Sequence, residues 1–231
     1  MRATLDYLLA NSHLPGPRGN LELLYAFSAA PEESVVRDCL ALIRGDTANS
    51  PEEFAGMCGI VGHAALHRDD LDGTLAFLRP YASHSSWRLR EAVAMAVQTL
   101  ASSRVSQLLE SFHAWMEGNA LERRAVVAAL CEPKMLKSEG TNRAILAVLR
   151  AFTDGFATLD KLTDAEKTLR QALGYGWSVA IVAQPTEGKN LLETYRSSTN
   201  RHIRWIVKEN LKKNRLIKLD SAWVDSMRAV F

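Results

Sequence analysis

Five cations recur through the C-terminal quarter at steps of 3, 4, 4 and 3: Arg201, Arg204, Lys208, Lys212 and Arg215. At 100° per residue this spacing places them on one side of a helix, with Trp205 at their edge. Ile203, Ile206, Val207 and Leu211 fall on the opposite side. A cationic stripe can neutralise phosphates, and an adjacent aromatic can stack on an exposed base, so these residue types suit a nucleic-acid backbone. The same stripe suits an acidic protein, and it is also compatible with a solvated helix face. Thr199 to Lys218 contains no Gly or Pro and reads as one amphipathic helix, with Thr199 or Asn200 as its N-cap.

Other groups offer less chemistry. His63 and His67 stand at i and i+4 on a predicted helix, a spacing that projects two imidazoles from one face. The residues between them are Ala64, Ala65 and Leu66, with no acid and no third ligand, so no metal site and no cofactor is expected. The run from Gly174 to Trp177 lacks the Lys-Ser/Thr of a phosphate loop and interrupts a helix, so its glycines are expected to allow close helix packing. Cys39, Cys58 and Cys131 are far apart, without a CxxC pair, and each is set among apolar residues. They read as buried free thiols rather than as a disulfide framework or zinc ligands.

Charge is unevenly distributed. The formal net charge is only +2, yet residues 196–218 contain eight Lys or Arg against the single acid Glu209. The asymmetry makes the C-terminal quarter the expected contact for an anionic partner. Asp6 sits inside the apolar run nearest the N-terminus, and the longest apolar run, from Trp177 to Ala183, is too short to span a bilayer. No membrane association and a cytoplasmic location are therefore expected.

The elements that must position these groups are helices throughout. Alternating strand patterns and hairpin turns are missing, and about thirteen helical segments follow one another through short connections. Helix starts are expected at Pro31, at Ser50-Pro51, and near Ser85, Asn119, Asp164 and Asn200. Continuous helices are expected over 3–10, 105–117 and 199–218. Aligning the second helix of successive pairs brings Arg90, Arg124, Arg170 and Arg204 into register, at spacings of 34, 46 and 34 residues. A period of this size indicates helix pairs, each burying its apolar face against the next.

A polar cap, an apolar residue–Arg step and then small aliphatic residues, as in SSWRLREAVAMAVQTL and NALERRAVVAAL, resemble the second helix of a HEAT repeat. The resemblance is clearest over 71–216 and weaker over 19–67, with 221–231 as a terminal cap. It implies an all-α, right-handed superhelix of about six HEAT-like helix pairs across 1–231 as a single solenoid. It further implies that the recurring arginines bond neighbouring turns. By that resemblance the function is a non-enzymatic scaffold whose basic surface takes a nucleic acid or an acidic protein. A HEAT-like branch, the AlkD-type DNA glycosylases, offers the alternative. Trp87 and Glu91, one helical turn apart, are similar to that branch's Trp and catalytic Asp, although the acid here is Glu.

Overall fold

Short polar side chains mark where the helices begin. Ser50, Ser86, Asn119, Ser138, Thr163 and Asn200 each accept hydrogen bonds from first-turn backbone N–H groups. Those donors have no partner inside a helix, so the caps satisfy them. At Asn119 and Thr163 the arrangement is reciprocal, because Glu122 and Glu166 reach back to the N–H of the capping residue.

The computed structural model describes residues 4–45 and 47–231. Among these residues every regular element is helical, so the all-α expectation holds. In chain order the helices are α1 (Leu5–Ala10), α2 (Leu21–Ala29), α3 (Glu33–Ala41), α4 (Pro51–Leu66), α5 (Leu71–Ala82), α6 (Trp87–Ala101) and α7 (Val105–Ser111). There follow α8 (His113–Met116), α9 (Ala120–Leu130), α10 (Glu139–Asp154), α11 (Asp164–Ala183), α12 (Pro185–Glu193), α13 (Arg201–Leu211), α14 (Asn214–Leu219) and α15 (Ser221–Arg228). No helix among the described residues is long and apolar enough to cross a membrane.

Several boundaries differ from expectation, three of them outside the C-terminal stretch of cations. The helix expected at Pro31 starts at Glu33 with Glu32 as N-cap. The segment expected as one helix over 105–117 is split into α7 and α8 at Phe112. The first helix was expected from Ala3, which lies outside the described residues, and it begins instead after the cap Thr4.

Contacts divide the chain into two units, one ending at Ser111 and the other running from Phe112 to Phe231. In the first, α4 is the hub and packs against α1, α2, α3 and α6. Gly59 permits the close approach of α3, since a Cβ there would stand 2.9 Å from the Leu40 backbone nitrogen. An ion pair is enclosed in this unit. Arg88 Nη1 lies 3.1 Å from Glu53 Oε2, and the two side chains are 8% and 0% exposed. Glu53 also accepts from the Asn49 backbone and the Ser86 hydroxyl, while Arg88 Nη2 donates to Gly16 O. A buried pair of charges persists only when its remaining donors and acceptors are met, as most are here.

In the second unit α11 takes the central place, with α9 along one side, α13 along the other, and α10 and α12 packed against it. Trp177 of α11 is wholly buried, and its indole N–H donates to Thr153 Oγ1 at 3.0 Å. The expected role of the small residues is seen at Gly174. A Cβ there would meet Trp205 Cζ3 at 2.9 Å, so the glycine lets α13 lie against α11.

Candidate anion-binding surface

The helix carrying the cations is anchored at both ends. Its cap Asn200 accepts from His202 N and Ile203 N through Oδ1, and donates through Nδ2 to Ala157 O and Leu159 O. Near the other end, fully buried Asn210 accepts from the Ser178 backbone N–H at 2.8 Å and donates to Leu173 O at 2.9 Å. Ile203, Ile206, Val207 and Leu211 are buried, and the cationic side faces outward.

The expected single helix is two. α13 ends at Leu211, Lys213 takes an extended backbone as N-cap of the next helix, and Arg215 belongs to α14. Continued without a break, a helix would turn Leu216 about 140° away from Leu211. The break allows both leucines to be buried.

The six predicted residues have separate environments. Arg201 is exposed and pairs with Asp160 Oδ1 at 3.2 Å. Arg204 is half-buried, with its guanidinium 5.0 Å from the Phe231 ring centre and Nη2 donating to Phe231 O at 2.8 Å. Trp205 is half-buried against Gly174 and carries the Arg170 guanidinium 4.4 Å from its ring centre. Lys208 is exposed and has no hydrogen-bond or ion-pair partner among the described residues. Lys212 is exposed and paired with Glu209. Arg215 is half-buried, stacks 4.6 Å from the Tyr175 ring centre and donates to the Tyr175 hydroxyl at 2.7 Å.

The break gathers cations that the stripe omits. Lys212, Lys213, Asn214, Arg215 and Lys218 line an open depression of ≈480 Å³, and none of these lining residues is acidic. Lys213 and Lys218 have no side-chain partner among the described residues. Their signal in the sequence is the local excess of positive charge rather than the helical period, because they sit off the stripe.

Arg170 of α11 and His202 of α13 are joined by a hydrogen bond. A guanidinium can only donate, so His202 Nδ1 accepts from Arg170 Nη1 at 2.9 Å and its Nε2–H donates to Asp160 O. Burial first, and nearby Arg201 second, pull the Arg170 pKa down from its ordinary value. The aligned arginines therefore do different work. Arg90 donates to His84 O and Ser85 O, just ahead of its own helix, Arg124 is half-buried on α9, and Arg170 and Arg204 hold α13 contacts.

The remaining candidates lie mainly in the first unit. Trp87 opens α6 with 56% exposure, and Glu91 is half-buried one turn on. The Arg88 guanidinium lies 4.7 Å from the Trp87 ring centre. His63 is stacked between Phe77 and His67, at 3.6 and 4.2 Å between ring centres. Among the described residues no group of three His, Cys, Asp or Glu could hold a metal ion. Cys39 and Cys131 are buried free thiols whose pKa burial pushes up to about 12, and burial raises that of Cys58 as well. Such thiols are poor nucleophiles.

No family model matches the chain, and no curated protein or solved structure matches it.

Proposed function

We propose that the chain is a non-enzymatic binding module built as a right-handed superhelix of HEAT-like helix pairs, whose basic C-terminal surface takes an anionic partner, a nucleic acid or an acidic protein. The observation that carries this reading is the acid-free depression lined by Lys212, Lys213, Arg215 and Lys218. Lys213 and Lys218, which have no side-chain partner among the described residues, keep their full charge for a ligand. The side-by-side packing of α9, α11 and α13 supports the paired-helix architecture. Retention of the protein on immobilised duplex DNA and on immobilised polyglutamate at low salt tests the reading. Retention on at least one matrix, released by salt, is expected; passage through both would reject it.

A second reading, an AlkD-like DNA glycosylase, is favoured by the exposed indole of Trp87 with Glu91 one turn away. Release of methylated bases from duplex DNA, abolished by Glu91→Gln, would establish it. Absence of release by the wild-type protein would remove it.

A further inference from the structure

We infer that the depression at the α13–α14 junction is a phosphate clasp, which grips closely spaced phosphates of a partner without reading bases. This inference rests on the anionic-partner reading and commits it to one chemistry.

Three observations converge on phosphate. The first is the pairing of one fixed donor with mobile ones. Arg215 is held on Tyr175 by ring stacking and by the 2.7 Å bond to the hydroxyl. Lys213 and Lys218 approach the same depression on flexible stems with no partner among the described residues. A carboxylate offers two oxygens in one plane, which a guanidinium fork meets edge-on. A phosphate offers oxygens in several directions, so one group can engage the fork and an ammonium together. The second is charge density. Glu209 offsets only Lys212, which leaves the other three lining cations uncompensated in a single depression. Consecutive phosphates supply negative charge at that density.

The third concerns the bases. Two aromatic rings of this unit carry a guanidinium over a face, Tyr175 that of Arg215 and Trp205 that of Arg170. A guanidinium already occupies one face of each ring, which leaves less aromatic surface for an incoming base and favours contacts to the backbone. Contacts of that kind fix position and carry no sequence information.

The test measures binding of the full chain to a labelled mixed-sequence single strand and to an abasic strand of equal length. Inorganic polyphosphate and polyglutamate of matched charge serve as competitors. The abasic strand is expected to bind within about two-fold of the mixed one, because bases contribute little. Polyphosphate should compete and polyglutamate should not. Tighter binding per phosphate of the strand than of polyphosphate would identify a nucleic-acid backbone as the natural source, and the reverse a free polyphosphate. Lys213→Ala with Lys218→Ala should lower affinity about ten-fold or more and flatten the salt dependence by about 1.4, at about 0.7 per cation for single strands. Arg215→Lys should weaken binding while circular dichroism stays unchanged, since it retains the charge and loses the fork.

Equal competition by polyglutamate would overturn the clasp while leaving the anionic-partner reading intact. Much tighter binding of the mixed strand than of the abasic one would overturn it too, as would undiminished affinity in the Lys213/Lys218 variant. Absence of binding to every probe at low salt would end both readings.

Discussion

The Arg215 guanidinium lies 4.6 Å from the centre of the Tyr175 ring and donates to that ring's hydroxyl at 2.7 Å, joining α14 to α11. Tyr175 is 40% exposed, so the contact contributes little to folding, on the order of 0.5–1 kcal/mol. Tyr175→Phe keeps the ring and loses the bond. Its denaturation midpoint is expected to match the wild type closely, while anion affinity falls several-fold because Arg215 is less constrained. A large loss of stability would show that the pair is a packing contact.

Removing one member of the Arg88–Glu53 pair leaves a charge stranded in the core of the first unit. Arg88→Met is expected to destabilise by about 3–5 kcal/mol. Arg88→Met combined with Glu53→Met should cost less than the sum of the single changes, since neither charge is then orphaned. Chemical denaturation of the three variants measures this directly; strict additivity would contradict it.

Asn210 ties α13 to α11 through both ends of its amide. Asn210→Leu keeps approximate volume but leaves Ser178 N–H and Leu173 O without that partner. A loss of about 2–4 kcal/mol is expected in a thermal melt, in proportion to the buried groups left unsatisfied. A neutral effect would mean that α11 closes these bonds within itself.

His63 gives a pH dependence of definite sign. Burial under Phe77 first, and His67 second, lower its pKa from 6.5 to about 4. The folded protein thus holds His63 neutral while the unfolded chain takes up a proton below pH 6.5. The stability linked to this site is complete above pH 6.5 and is lost as pH falls from there towards 4. Discounted for partial exposure, the loss is on the order of 1–2 kcal/mol. His63→Phe should flatten the stability profile over that interval, and an unchanged profile would refute the assignment.

How much of this was legible in the sequence depended on the range of the signal. Caps are local, so Asn119 and Asn200 were readable, and the starts expected at Ser85 and Asp164 fell one residue from the true caps Ser86 and Thr163. Buried faces with helical period, such as Ile203–Val207–Leu211, were readable for the same reason. The α13–α14 break was not, because Lys212 and Lys213 include no Gly or Pro and the cationic period runs straight through them. Arg88 carries no local signal because its partner Glu53 lies 35 residues upstream, whereas the repeat spacing marks Arg90. Lys213 and Lys218 line one depression with Arg215 beside the break, an arrangement no local signal gives.

Salt dependence tests most directly whether these C-terminal cations hold an anionic partner. Binding of the full chain to labelled duplex DNA and to polyglutamate would be followed over increasing salt, beside a Lys208→Ala/Lys218→Ala variant. For a bound duplex, log affinity should fall linearly with log salt, and the variant's slope should be shallower by about 1.8, at about 0.9 per lost cation. Both changes are on exposed side chains, so the melting temperature should not move. Failure to bind either polyanion at low salt, or binding whose salt slope the variant leaves unchanged, would contradict the account.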